Sequence, residues 1–232
     1  MGRRQPKPRY RFDVRGRTQG QKDYIRSILD NTVTLCSGFA GTGKTLIAIG
    51  MAMHLMQERQ EYSKVIVVRP AIEACGEKLG YLPGGLGDKM RPLIQPIMDN
   101  LRVFISDEGY ISTLLEPTHQ MGAPIIEVIP MAYLRGRTFN NCVVVFDEAQ
   151  NATPSQMKLF LTRIGEHCKV IIEGDVTQSD RFSSREENGL FDAIQRLRGC
   201  PDVGIVALEA KDIQRSKVIA PILERYKDVD GI

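Results

Sequence analysis

The stretch Gly38-Phe39-Ala40-Gly41-Thr42-Gly43-Lys44-Thr45 carries the pattern G-x-x-x-x-G-K-[ST] in full. Its chemistry is phosphate recognition. The glycines let backbone N–H groups turn inward around an anion, and the helix that follows adds its positive end. All eight positions are expected to cradle a nucleotide. Lys44 would reach the β- and γ-phosphates, and the Thr45 hydroxyl would ligate Mg²⁺. Roughly 100 residues later, Val143-Val144-Val145-Phe146 runs into Asp147-Glu148-Ala149-Gln150. An apolar run ending in an acid carries a carboxylate to the C-terminal edge of a sheet, where α/β folds bind ligands. Asp147 is expected to join Thr45 at the magnesium. Glu148 has no need to be acidic for metal binding. A second carboxylate there can polarise an attacking water, which favours hydrolysis over transfer to an acceptor.

Further groups lie around this pair of motifs. In Glu173-Gly174-Asp175-Val176-Thr177-Gln178, the turn can place the Gln178 amide near the γ-phosphate, where it would distinguish ATP from ADP. Gln21, upstream of the phosphate loop, can bond both edges of an adenine ring. Gln19 offers the same chemistry, and either residue also suits a plain polar surface. Arg135 and Arg137 in Tyr133–Thr138, and Arg215 in Lys211–Arg215, have three readings: arginine fingers, phosphate contacts to nucleic acid, or surface charges.

The elements that must position these residues are legible as apolar runs. Strands are expected over 32–37, 64–70, 124–130, 142–148, 170–175 and 204–208. Helices are expected over about 20–30, 44–59, 90–105, 110–116 and 212–226, with another opened by Thr153-Pro154-Ser155-Gln156 and ending near Gly165. Residues 71–90, with five glycines and Pro83, read as a long loop. Continuous apolar strands alternating with helices indicate an α/β fold with a parallel sheet covered on both faces.

Composition bounds the function. The chain has 232 residues, 42% hydrophobic and 25% charged, enough for one globular domain. Its net charge is +3, unevenly spread: residues 1–26 hold nine Lys or Arg against Asp13 and Asp23, so the remainder is net acidic. Residues 1–18 are rich in Arg and Pro and read as a basic extended arm, either a contact to phosphate backbones or anionic surfaces, or a solubilising tail. The five cysteines form no CxxC pair, and the three histidines are scattered without metal-ligand spacing. That pattern fits a reducing cytoplasm and argues against a zinc ribbon. No secretory signal or membrane span is expected.

Taken together, these residues resemble the PhoH family of P-loop ATPases over about Gln19 to Lys227. The phosphate loop is generic. The specific match lies in Val68-Arg69-Pro70-Ala71, Gly76-Glu77-Lys78-Leu79-Gly80-Tyr81-Leu82-Pro83-Gly84, Ala132 to Thr138, Asp147 to Asn151 with Leu161 to Gly165, and Gly174 to Gln178. The resemblance implies a RecA-like P-loop core related to superfamily 1 helicases, with a mostly parallel sheet sandwiched by helices. It occupies 19–232 as a single domain after the arm. It also implies Mg²⁺-dependent ATP hydrolysis linked to RNA or single-stranded DNA, and an association with phosphate starvation, in bacteria or their phages. A PIN ribonuclease domain, which some members carry, is not expected here. Two departures stand out. Ser179-Asp180-Arg181-Phe182 replaces the family's Ile-Asp-Leu-Pro, and Asp212-Ile213-Gln214-Arg215 replaces Asp-Val-Val-Arg while keeping the arginine. That retention favours Arg215 as the finger.

Three functions compete at this point. The first is a nucleic-acid-linked ATPase. The second is an ATP-gated adaptor that hydrolyses slowly and recruits a partner. The third is a nucleoside kinase, which would usually carry a four-cysteine zinc site. A single RecA-like core would take its finger from a neighbouring copy, so the expected partner is the chain itself, in a head-to-tail ring of about six.

Overall fold

The computed structural model describes residues 10–70, 86–116, 124–177, 187–214 and 225. Its frame is one sheet of six strands: β1 (Val33–Gly38), β2 (Lys64–Arg69), β3 (Ile126–Pro130), β4 (Cys142–Phe146), β5 (Cys168–Gly174) and β6 (Val203–Leu208). Their order is β3-β2-β4-β5-β1-β6, and every pairing is parallel. All the strands therefore deliver their C-terminal ends to one edge. Among the described residues, six α-helices accompany the sheet: α1 (Gln19–Asp30), α2 (Lys44–Glu58), α3 (Leu86–Leu101), α4 (Glu108–Leu115), α5 (Pro154–Leu161) and α6 (Gly189–Arg196). This is the RecA-like P-loop architecture expected from the sequence, with a sheet that is wholly parallel among the described strands.

Successive side chains of a strand point to opposite faces, so each strand feeds two cores. Val65, Val67, Val143, Val145 and Ile171 pack with α1 to α4 on one side. Ile66, Val68, Val144, Phe146 and Ile172 pack with α5 and α6 on the other. Burial on both faces explains why the strands read as unbroken apolar runs. Cys36, Cys142 and Cys168 are buried within these layers as free thiols, while free Cys200 is exposed. Among the described residues, no helix is long and apolar enough to cross a membrane.

Several element boundaries have clear chemical causes. Thr18 caps α1 by accepting from the Gln21 N–H. The other end of α1 is met by Lys169, only 5% exposed. Its Nζ donates to the carbonyls of Ile28 (2.7 Å), Leu29 (3.2 Å) and Asn31 (2.6 Å). A cation suits the negative end of a helix, although burial and the nearby Arg59 charge lower the Lys169 pKa. At α5, Thr153 and Gln156 form the expected reciprocal capping box with Pro154 in the first turn. Thr153→Ala should cost about 1 kcal/mol of stability, read as a shift in chemical denaturation midpoint with unchanged slope. An unchanged midpoint would show that α5 is held by packing alone.

The structure also departs from expectation. α3 begins at Leu86, earlier than the expected 90, and ends at Leu101, carrying Pro92 and Pro96 within it. α5 stops at Leu161, before Gly165. Helix α6 has no counterpart in the sequence reading. Asn188 caps it, its Oδ1 accepting from the N–H groups of Leu190 and Phe191. Within the stretch read as an arm, Phe12 is fully buried in the core on the α2 side. Most of the expected final helix, 212–226, lies outside the described residues, as does 71–85.

Candidate nucleotide site

β1 lies between β5 and the edge strand β6, and runs directly into the phosphate loop. Gly41 and Gly43 both adopt φ of +84°. That left-handed conformation is strained for residues with a Cβ and is what turns the loop back toward α2. The loop is fastened from several sides. The Thr42 hydroxyl donates to the Phe39 carbonyl (2.8 Å), and Gln21 Nε2 donates to the Thr42 carbonyl (2.9 Å). The Gln214 N–H donates to the Gly41 carbonyl (3.0 Å). Lys44 lies along the loop, its Nζ donating to the carbonyls of Gly38 (2.7 Å) and Phe39 (3.1 Å). Gly38, Phe39, Ala40, Gly41, Thr42, Gly43, Lys44 and Thr45 thus form the continuous strand–loop–helix cradle that the motif demands.

Thr45, in the first turn of α2, meets β4 and β5. Its hydroxyl donates to Glu173 Oε1 at 2.8 Å and lies 3.4 Å from Asp147 Oδ1. Asp147 follows β4 and is 2% exposed. Its Oδ2 has no hydrogen-bond partner. Arg69 Nε stands 2.9 Å away as an ion pair, without the alignment of a hydrogen bond. A buried carboxylate with one oxygen beside a threonine hydroxyl and the other free of hydrogen bonds suits a small hard cation. Magnesium keeps most of its shell as water and phosphate and needs only one or two protein ligands. Among the described residues, no group of three or more His, Cys, Asp or Glu is placed to hold a metal ion by itself.

Glu148 takes a left-handed conformation, φ 55° and ψ 39°, unusual for a residue with a side chain. The kink turns it out of the strand and into the cleft. Its Oε2 accepts from Gln150 Nε2 at 2.6 Å. Burial, and then the charge of Asp147, raise its pKa above the ordinary carboxylate value. Gln150 faces the other way as well, accepting from the Asp175 N–H at 3.2 Å. One buried amide therefore joins the end of β4 to the end of β5. Asp175 accepts from both the Thr177 N–H (3.0 Å) and its hydroxyl (2.6 Å). Gln178 and Arg215 lie outside the described residues.

Three residues enter the site that the sequence reading did not assign. Glu173 is 1% exposed, and burial followed by the Asp147 charge pushes its pKa well up. Arg69 bridges two elements, since its Nη1 also donates to the Leu93 carbonyl of α3 (3.2 Å). Gln150 is the amide just described. The signal for the first two was a charged residue inside or at the end of an apolar strand: Lys-Val-Ile-Val-Val-Arg and Val-Ile-Ile-Glu. Charge placed there must find a partner. The arginine candidates separate. Arg137 pairs with Glu127 at the start of β3 (2.8 Å), where Lys64 also meets Glu127 (3.0 Å). That cluster sits at the sheet edge opposite the phosphate loop, whereas Arg135 is exposed.

The loop, Lys44, Thr45, Glu148, Gln150 and Asp175 line a single cleft of about 980 Å³. Comparison with known proteins gives the family and the fold. The model of the PhoH-like protein family matches residues 13–227. The PhoH-like protein of Mycobacterium tuberculosis (strain ATCC 25618 / H37Rv) is 42% identical over 213 residues, which cover 92% of this chain and 58% of that protein. Protein PhoH of Escherichia coli (strain K12) is 38% identical over the same shares. The chain thus spans about three-fifths of the length of these relatives. Among solved structures, the large terminase of a thermophilic bacteriophage in complex with ADP shares the fold at a TM-score of 0.52 and 14% identity. That match covers 90% of this chain and 49% of the terminase chain. The chain belongs to the PhoH-like family.

Proposed function

We propose that this chain binds ATP with Mg²⁺ and hydrolyses it, in the service of RNA or single-stranded DNA. The observation that carries the proposal is the convergence on one cleft edge of a phosphate cradle, the Thr45–Asp147 pair and the out-turned Glu148. Thr45 and Asp147 would hold the magnesium, which neutralises phosphate charge when bound. Lys44 would leave its carbonyl partners to meet the β- and γ-phosphates. Glu148 would orient a water for in-line attack, and its raised pKa makes it a better proton acceptor than an ordinary carboxylate. Gln178 would report the γ-phosphate, and Gln150, tied to both Glu148 and Asp175, would couple that report to the base. ADP bound to the phage terminase of the same fold supports nucleotide binding here.

The nucleic-acid reading rests on the basic N-terminal segment and on the family. An arginine from a second copy would complete the charge neutralisation in a homo-oligomeric ring in the cytoplasm. Arg215 is the first candidate. Exposed Arg135 is better placed to reach a neighbour than Arg137, which Glu127 holds.

The test is phosphate release measured alone, with RNA and with single-stranded DNA, alongside mass in solution. We expect turnover in all three conditions, stimulated by at least one nucleic acid and lost on dilution to monomer. No release under any condition would overturn the ATPase. Flat release across both nucleic acids would favour the ATP-gated adaptor, and full activity as a monomer would remove the ring.

A further inference from the structure

The cleft continues past the phosphate loop to a wall that the nucleotide motifs do not explain. The segment Tyr10–Arg17 crosses the body as a strap. The Tyr10 ring lies 5.2 Å from that of Tyr110 in α4, and its carbonyl accepts from Gln57 Nε2 of α2 at 3.0 Å. The Phe12 ring lies 5.3 Å from that of Phe104, just beyond α3, and the Phe12 carbonyl is 3.1 Å from His54 Nδ1 of α2. Farther along, the strap ties into the phosphate loop through one amide. The Arg17 N–H donates to Gln21 Oε1 (2.8 Å), while Gln21 Nε2 holds Thr42.

Between these anchors, the strap closes over α2 where the helix has no side chain. A Cβ on Gly50 would stand 2.7 Å from both Val14 Cγ2 and Phe104 Cζ. Val14 and Phe104 line the cleft together with Val103, which is 64% exposed, and with Arg17, Gln21 and Asn100. This end is therefore an apolar slot with a polar rim, unlike the backbone cradle that takes phosphates. Gln21 has one N–H and one acceptor lone pair left after its two backbone bonds. A flat heterocycle with mixed edges fits that chemistry.

We propose that the strap over Asp13–Arg17 is the base-binding wall of the cleft. Val14 and Phe104 cover the face of a purine, and Gln21 reads its edge. The proposal rests on the ATP reading above. It divides the arm over residues 1–18 in two: the strap belongs to the nucleotide site, and of the arm's cations only Arg3, Arg4, Lys7 and Arg9 precede it, left for polyanions.

Equilibrium binding of ATP and of inorganic tripolyphosphate, which has phosphates but no base, tests it in the full chain. Val14→Asp should weaken ATP by about tenfold or more and leave tripolyphosphate unchanged. Equal loss of both, or loss of neither, overturns the base wall. Hydrogen exchange in the wild-type chain gives a reading independent of any substitution. Amides 13–17 should be slowed by ATP and not by tripolyphosphate, and equal protection by the two ligands overturns the proposal. If wild type binds tripolyphosphate but not ATP, the base wall fails and the phosphate cradle stands. If it binds neither, the ATP reading itself falls.

Discussion

Glu148→Gln should leave a protein that still binds ATP but releases phosphate about 10²- to 10⁴-fold more slowly. The substitution is nearly isosteric, so the out-turned backbone and the contact with Gln150 can persist, with the Gln150 amide facing an amide oxygen in place of a carboxylate. What disappears is the capacity to accept a proton. Glu148 is made fit for that task by partial burial and by the left-handed turn that carries it away from its chain neighbour Asp147: it lines the cleft, whereas Asp147 is sunk beside Thr45. Loss of turnover with intact binding is therefore the signature of a group acting on the water. Single-turnover phosphate release, with nucleotide affinity measured separately, reads both quantities. Release at the wild-type rate would take Glu148 out of the chemistry and leave the base to another group.

Lys44→Ala should fail in a different way, losing ATP affinity and turnover together, with turnover falling about 10²- to 10³-fold. Lys44 is 9% exposed, and its charge rests on the carbonyls of Gly38 and Phe39. Those two acceptors keep an ammonium at the loop before any phosphate arrives, so the cradle presents a fixed positive charge instead of a wandering side chain. Alanine removes the charge and leaves the Gly38 and Phe39 carbonyls without the donor that the lysine gave them. Lys44→Arg is not a rescue, because a forked guanidinium does not fit the point-charge geometry of the loop. Titration with a fluorescent nucleotide alongside phosphate release separates this pattern from that of Glu148→Gln. Unimpaired binding by the alanine variant would remove Lys44 from phosphate contact.

The contrast between these residues and those missed shows what the sequence carries. The phosphate loop is a local object: one strand end, one loop and one helix start, contiguous from Gly38 to Thr45, so its turn is encoded in eight letters even though Gln21 and Gln214 fasten it from outside. The same holds for the β4 end and for the capping box at Thr153. Glu173 and Arg69 are different. Each is placed against Asp147 by strand order, and order is decided by packing across the sheet. In strands buried on both faces, alternation gives no hint of which neighbour a side chain will meet. Helix α6 escaped because only eight residues form it, after a polar run with no apolar period of its own. The strap was legible and overlooked. Tyr10, Phe12 and Val14 alternate with Arg11, Asp13 and Arg15. That is the two-residue period of a segment lying on a surface, although the charge around it reads more loudly.

The position of β1 has a consequence for how the molecule comes into being. Val33 pairs with Val170 on one side and Val203 on the other, so both neighbours of the strand that bears the phosphate loop are made more than a hundred residues later. During synthesis, the loop sequence emerges early but has no sheet to emerge into. Closing such distant pairings costs chain entropy before it returns contact energy, which slows folding. On the ATP reading, nucleotide affinity would be acquired only once β5 and β6 have docked on either side of β1. ATP, binding only the finished sheet, would act during biogenesis as a ligand that captures completed molecules and passes over nascent ones.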